Sequence, residues 1–336
     1  MKISTIGFSI AGSMISSEMA KRGFEVKAYE EHKNPYDKIE CSGLISENGY
    51  SSVSKYFNID NIIENRIKGA KVFLGSEWFE LKRNNDIAYV VNREKLNLLS
   101  AKNAEKNGVE VEYGKRKAAK EIRKMEYAIG ADGPWSETAL AFKYPKIKKY
   151  IYSMHTTVDQ IWEKDIVRVY LDDNFRGFFG WIIPHRNFSE IGFGTINRED
   201  AKKGIRFFEN ITGDVKWKGA VIPVKLRERL QKENSILVGD AAGMTKRTTG
   251  GGITFMSKTL PWFADAIEGK CNIDERMGNS MMVKEMAAHG IMQKVNETSN
   301  QGVKKLIYYA LDFSGMIDFA SEKGDMDFPM KMIGIE

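Results

Sequence analysis

SILVGDAAGMTKRTTGGGI, residues 235–253, decides the reading of this chain. A short apolar run that predicts a strand ends on Gly239 and Asp240. Two alanines and Gly243 follow, then a polar turn, then Gly250, Gly251 and Gly252 ahead of Ile253. A carboxylate at the end of a strand can hold a sugar hydroxyl. Small residues behind it let backbone approach a flat ligand, and helix-start amides can face its electron-rich edge. The combination reads as a cofactor loop rather than a glycine-rich surface loop.

The N-terminus carries a second such unit. Residues 2–6 predict a strand, Gly7-Phe8-Ser9-Ile10-Ala11-Gly12 a turn, and 13–22 a helix closed by Gly23. A second strand over 24–29 ends in Glu30. Strand, glycine turn, helix, strand and acid at this spacing describe a dinucleotide-binding unit, with Glu30 on the adenosine ribose and the helix start facing the pyrophosphate. The second glycine position is Ser9, whose hydroxyl donates to a phosphate or crowds it. A third segment, YAIGADGPWS at 127–136, runs a strand into Gly130-Ala131-Asp132-Gly133. Ser136 there suits an N-terminal helix cap.

In this order the three segments resemble those of the FAD-dependent oxidoreductases of the glutathione-reductase-like superfamily. The closest resemblance is to the branch shared by aromatic hydroxylases, flavin halogenases and geranylgeranyl reductases. It implies an α/β protein: a glutathione-reductase-like FAD-binding Rossmann domain, an antiparallel-sheet substrate domain as in the aromatic hydroxylases, and a short helical C-terminus. It also implies that Asp132 and Gly133 lie near the pyrophosphate with Gly7, Ser9, Ala11 and Gly12. Gly239 and Asp240 then hold the ribityl chain, and the loop from Gly243 through Gly250, Gly251, Gly252 and Ile253 abuts the isoalloxazine. Arg93, in VVNREKL at 90–96, matches an arginine that opens a helix and contacts FAD. By itself, Arg93 has the alternative reading of a first-turn surface charge.

The finer pattern resembles the geranylgeranyl reductases. Their second flavin loop is similar to GDAAG followed by TGGGI, here 239–243 and 249–253. Hydroxylases carry His after the alanines and a proline pair farther on, where this chain has Gly243 and Lys246-Arg247. FGWIIP at 179–184 is similar to the reductases' aromatic-x-Trp-x-aromatic-Pro strand, Cys41-Ser42-Gly43 to their Cys-x-Gly segment, and GAVIP at 219–223 to their Gly-x-x-Ile-Pro stretch. The resemblance runs from residue 1 to about 263. It implies a reductase that saturates C=C bonds of geranylgeranyl chains in archaeal-type glycerol ether lipids, by a hydride from reduced FAD and a proton.

On that reading Cys41 is the proton donor or a flavin-proximal group. As a residue type it also suits a buried apolar site. Trp181 walls the substrate pocket with Phe179, Pro184 and His185, or is a sheet-core tryptophan. His185 binds a phosphate or the electron donor, or is simply exposed. His155 reads as structural. FGWIIP also resembles a halogenase mark, so a monooxygenase or halogenase is the alternative, with Lys68 or Lys71 as its lysine. A non-catalytic flavin or lipid carrier is a further one.

Composition sets bounds. With 336 residues, 42% of them hydrophobic, the chain can bury a large core and hold two domains. Cys41 and Cys271 are the only cysteines, which excludes a disulfide framework and suggests a reducing compartment. A strand beginning at Lys2 leaves no room for a signal peptide, and no run approaches the roughly 18 apolar residues of a membrane span. These features predict a cytoplasmic protein, with peripheral membrane contact implied by the lipid substrate. The net charge of +6 is modest, and aromatics are not interleaved with the basic clusters as in a nucleic-acid platform. No metal site is expected. No second dinucleotide fold is visible, so electrons come from ferredoxin, a deazaflavin or transiently docked NAD(P)H.

The flavin segments make the FAD-binding domain discontinuous, over 1–60, 85–145 and 225–265. Residues 61–84 and 146–224 form the substrate domain, with a hairpin around Gly75-Ser76, four short strands between 151 and 196 and a helix over 201–210. Residues 266–336 form a C-terminal helical segment, with helices over 280–295 and 302–313. Its methionines (277, 281, 282, 286, 292, 316, 326, 330 and 332) serve as core filler or line a pocket for a flexible apolar chain. Two basic clusters stand out: Lys115, Arg116, Lys117, Lys120, Arg123 and Lys124, and Lys143, Lys146, Lys148 and Lys149. They form a solvated face or dock an acidic electron donor or anionic head group.

Overall fold

All three glycine-turn segments enter one sheet in the computed structural model, which describes residues 1–37, 39–314 and 316–330. Its strands are β1 (Lys2–Ile6), β2 (Glu25–Glu30), β8 (Glu110–Tyr113), β9 (Tyr127–Gly130), β15 (Gln231–Lys232) and β16 (Ser235–Leu237), in the order β15-β16-β9-β1-β2-β8. All pairs are parallel except β15 with β16. The central strands are short apolar runs, buried on both faces: every residue of β9 and β16 is buried. β1, β9 and β16 are neighbours pointing the same way, so the turns at their carboxyl ends converge.

Helices α1 (Ile10–Lys21), α2 (Glu47–Ser54) and α3 (Arg93–Lys106) follow in the first part of the chain. α1 begins three residues before the position read from sequence, with Ser9 at its cap. It is built for close approach. Ser13 Oγ lies 2.5 Å from Ser100 Oγ on α3, Ser16 Oγ donates to Thr5 Oγ1 at 2.8 Å, and Asn107 Nδ2 donates to Ser17 Oγ at 2.8 Å. Small hydroxyl side chains let α1 lie against both β1 and α3 with their polar groups satisfied.

The second sheet holds β5 (Gly69–Leu74), β6 (Glu77–Lys82), β10 (Tyr150–Val158), β11 (Ile166–Tyr170), β12 (Gly180–Pro184), β13 (Ser189–Thr195) and β14 (Lys218–Pro223), in the order β14-β10-β13-β12-β11-β5-β6. The hairpin around Gly75-Ser76 forms as expected. The expectation of a wholly antiparallel sheet is corrected: β5 and β11 pair in parallel. The β5–β6 hairpin enters from an early part of the chain, and Lys68 N–H on Asp165 O at 2.8 Å aligns it with the start of β11. Helix α6 (Ala201–Thr212) covers one face, where Phe175, Ile182, Ile191, Phe193 and Phe208 form the core.

A third, small sheet was not expected. β3 (Leu44–Ser46), β7 (Ala88–Val91) and β4 (Ile63–Ile67) pair antiparallel in the order β3-β7-β4. Ile67 and Val90 pack against Val167 and Ile183 of the second sheet, while Ile45 and Val91 enter the main core with the first.

Between β8 and β9 lies the short helix α4 (Ala119–Ile122), with α5 (Glu137–Ala141) after β9. Three members of the first basic cluster are engaged locally: Arg116 with Glu137 at 3.1 Å, Arg123 with Glu233, and Lys117 over the Tyr29 ring at 4.3 Å. The C-terminal region contains α7 (Ile253–Ile267), α8 (Ile273–Gly278), α9 (Met281–Thr298), α10 (Gln301–Phe313) and α11 (Met316–Lys323). Met277, Met282 and Met286 enter the main core, while Met292, Met316 and Met326 are exposed. Met332 lies outside the described residues. No helix among the described residues is long and apolar enough to cross a membrane.

Candidate functional site

The glycine turns interlock through backbone. Gly7 has φ +85°, and a Cβ there would come within 2.4 Å of Ala131 O, so only glycine lets the first turn lie on the third. Gly12 fits beneath Gly7 in the same way, its Cβ position being 2.0 Å from Gly7 O. Ala11 packs against Gly239, joining α1 to the second flavin-type loop. Gly133 borders open space, with nothing near its Cβ position. Gly243 adjoins the backbone of Lys225, and Arg227, itself buried, braces that loop through Nε on Ala241 O at 2.7 Å.

Around this floor the polar groups divide into paired and unpaired. Glu30 is buried at the end of β2. One oxygen accepts from Phe8 N–H at 2.7 Å and the other from His32 N–H at 3.0 Å, so its carboxylate already braces the first turn. Ser9 is exposed; its Oγ accepts from Asn97 Nδ2 at 3.0 Å and makes no cap bond to α1. Ser136 caps α5 by accepting from Ala139 N–H at 2.9 Å. Asp132 accepts from Thr138 N–H at 2.9 Å through Oδ2, while Oδ1 is buried without a partner. Burial raises the Asp132 pKa against the opposing bonds from Ser136 and Thr138.

Arg93 opens α3 beside Gly43. Its Nε and Nη1 are buried and have no hydrogen-bond partner. Two unmet donors of this kind cost about 1–3 kcal/mol each, and an acceptor-rich ligand would relieve that. The Arg93 charge acts on Asp240, at the start of the second flavin-type loop. Crowding by protein pushes its carboxyl up to about 6, against the pull of Arg93. The side chain still reaches solvent, which screens part of that effect. The first-turn surface charge read for Arg93 is therefore corrected: the side chain turns inward, since Gly43 leaves room for its stem.

The third glycine run closes the site. Gly251 lies over the Lys246 side chain, whose Nζ pairs with Asp327. Gly252 precedes α7, which starts at Ile253. Gly250 faces Ile222 and Phe178 of the second sheet region. Asp327 also accepts from Ser46 Oγ and Thr254 Oγ1.

Cys41 is exposed, which overturns the buried-hydrophobe alternative. Phe179 and Trp181 are half-buried, 5.7 Å apart and edge-on, with Phe178 stacked on Phe179 at 4.3 Å. Pro184 and His185 stand at the other end of β12. His185 is buried, not exposed: Nδ1 lies 2.9 Å from Glu64 Oε2, the ring stacks on Phe188 at 4.4 Å, and Nε2 has no partner.

No protein-family model matches the chain. An uncharacterized protein of Methanocaldococcus jannaschii is 26% identical over 358 residues, covering 93% of this chain and 89% of its own length. The digeranylgeranylglycerophospholipid reductase of Thermoplasma volcanium is 25% identical over 293 residues, 74% of this chain and 73% of that protein. At the family level the chain matches archaeal and plant geranylgeranyl reductases. A geranylgeranyl bacteriochlorophyll reductase-like protein of Thermoplasma acidophilum shares the fold with a TM-score of 0.77 at 19% identity, over 99% of this chain and 94% of that one. A flavin-dependent brominase shares it at 0.68 and 13%, over 99% and 98%. Homology to flavin-dependent oxidoreductases supports an enzymatic role.

Four residues at the site escaped the sequence reading. Asn97 lies on α3 at i+4 from Arg93, and Ser100 at i+7; polar residues at that helical spacing on a buried face were a readable signal. Arg227 and Asp327 had none, because each acts through residues remote in sequence.

Proposed function

We propose that this chain is an FAD-dependent reductase that saturates C=C bonds of geranylgeranyl chains, as carried by archaeal-type glycerol ether lipids. The observation that supports FAD is the Arg93 side chain, with Nε and Nη1 buried and unpaired and its charge acting on Asp240. Reduction rests on the similarity to relatives named for that activity. The proposed division assigns 1–60, 85–145 and 225–265 to the flavin domain, 61–84 and 146–224 to the substrate domain and 266–336 to the C-terminal segment.

Arg93 would donate to the cofactor, Asp240 would hold a ribityl hydroxyl, and Gly250, Gly251 and Gly252 would admit the flat ring. Glu30 and Ser9 would border the adenosine and pyrophosphate after exchanging their present partners. Reduced FAD supplies the hydride. An isolated alkene has no carbonyl to spread negative charge, so a proton must reach one carbon as hydride reaches the other. Cys41 would release that proton to carbon and recover it from water. An isoprenoid chain laid against Phe179 and Trp181 would cover the exposed thiol and exclude solvent. Electrons would come from an external donor: ferredoxin, a deazaflavin or NAD(P)H. The substrate would be met at a membrane surface.

The halogenase reading is disfavoured by Lys71, one of its two candidate lysines. Its ammonium is held by Glu163 at 2.9 Å and lies 4.7 Å from the centre of the Trp78 ring. The deciding experiment is anaerobic. Purified protein should be yellow, and after reduction a geranylgeranyl glycerol lipid should reoxidise the flavin and gain mass in steps of two hydrogens. Product formed only with oxygen, and no mass gain without it, would sink the reductase.

A further inference from the structure

Trp181, Gly192, His155 and Lys218 lie in one transverse row of the second sheet. β12 and β13 pair Trp181 with Gly192, β13 and β10 pair Gly192 with His155, and β10 and β14 pair His155 with Lys218. Glu190 lies two residues before Gly192, on the same face of β13. The missing side chain at Gly192 lets the indole cross that strand, since a Cβ there would stand 2.3 Å from Trp181 Cζ2. Glu190 therefore reaches both neighbours. Its Oε1 accepts from Trp181 Nε1 at 3.0 Å, and its Oε2 lies 3.1 Å from His155 Nδ1. The other imidazole nitrogen, Nε2, is 2.8 Å from Oε2 of Glu40. Glu40 is the residue before Cys41.

We propose that His155 is a positioning residue: it clamps the loop carrying Cys41 onto the strand row carrying Trp181. The proposal rests on the reductase reading, in which thiol and indole face the same substrate. Carboxylates on both ring nitrogens call for two N–H donors, hence the imidazolium form. Burial lowers the proton affinity of His155, but Glu190 and Glu40 outweigh it, and the net shift is upward from 6.5. Lys218, exposed on β14, is the remaining charged group of the row. The clamp is therefore closed at acidic pH. As pH rises through the raised pKa, one carboxylate loses its donor and the Cys41 loop loosens.

The test uses the FAD-loaded protein, with hydrogen exchange read on the peptide containing Cys41 and corrected for the intrinsic effect of pH. Glu40→Ala, in a partly exposed loop, and His155→Phe should each speed that exchange about tenfold, the equivalent of one charge-assisted hydrogen bond. The double variant should add nothing further. Wild type should lose protection as pH rises through the pKa of His155, and Glu40→Ala should show no such step. Turnover should fall in both variants with little change in KM. Unchanged exchange in Glu40→Ala, or additive effects in the double variant, would overturn the clamp. If exchange behaves as expected but no form of the protein reduces a geranylgeranyl lipid, the clamp stands and the reductase reading fails.

Discussion

Lys246 and Asp327 form an ion pair inside the protein, with Asp327 fully buried and Lys246 5% exposed. Lys246 belongs to the glycine-rich loop that precedes α7, and Asp327 to the segment after α11. Asp327 also receives Ser46 and Thr254, its carbonyl accepts from His289 at 3.1 Å, and its N–H donates to Asp325 at 2.8 Å. Residues 324–330 thus act as a strap that fastens the flavin-type loop from behind.

Breaking this pair from one side should be costly. Asp327→Ala leaves a buried ammonium uncompensated and should lower stability by about 3–5 kcal/mol. The double change Lys246→Met with Asp327→Leu should recover most of that loss, because apolar groups of similar volume need no desolvation. Denaturant midpoints of the two proteins check it; equal midpoints would contradict the pairing.

Arg93 should show opposite effects on stability and affinity. Arg93→Met removes two buried unpaired donors, so the flavin-free protein should be as stable as wild type or more so. FAD affinity should drop by about 1.5–3 kcal/mol, roughly ten- to hundredfold in Kd. Thermal unfolding of the apoprotein and flavin-quench titration measure the two arms.

Gly43 supports Arg93 from below. It has φ +77°, and a Cβ would come within 2.1 Å of Val91 O and 3.4 Å of Arg93 Cγ. Gly43→Ala should cost about 2–4 kcal/mol through backbone strain and overpacking. Weaker FAD binding should accompany it, since the β3–β7 pairing that carries Arg93 shifts. A circular-dichroism melt together with the same titration tests both effects.

The strap should be acid-sensitive through His289. Its Nδ1 lies 2.6 Å from Thr248 Oγ1 and its Nε2 faces Asp327 O, so the neutral ring satisfies both. Burial is the main cause that pushes its pKa down, from 6.5 to about 4. The unfolded chain therefore takes up the proton first. The stability contributed is present above about 6.5 and is lost as pH falls through about 4. Unfolding midpoints of wild type and His289→Gln, compared from pH 7 to pH 4, should converge as pH falls. Parallel pH profiles would refute the assignment.

The strand–turn–helix units were legible because each is local. Gly7 and Gly239 mark left-handed backbone at strand ends, and apolar runs of three to six residues mark the buried parallel strands between them. The cap at Ser136 was equally local. The sheet pattern was less so. Alternation predicted strands between 151 and 196, but it carries no information on strand direction, and the parallel β5–β11 pair breaks the antiparallel expectation.

The sequence by itself determined where this chain turns and which short runs its layers bury, because φ preference and hydrophobic period act within a few residues. Tertiary structure alone decided which charges meet. Glu40 reaches His155 across 115 positions and Lys246 reaches Asp327 across 81. Such pairs depend on strand order and on the path of the C-terminal strap, and no local preference encodes either.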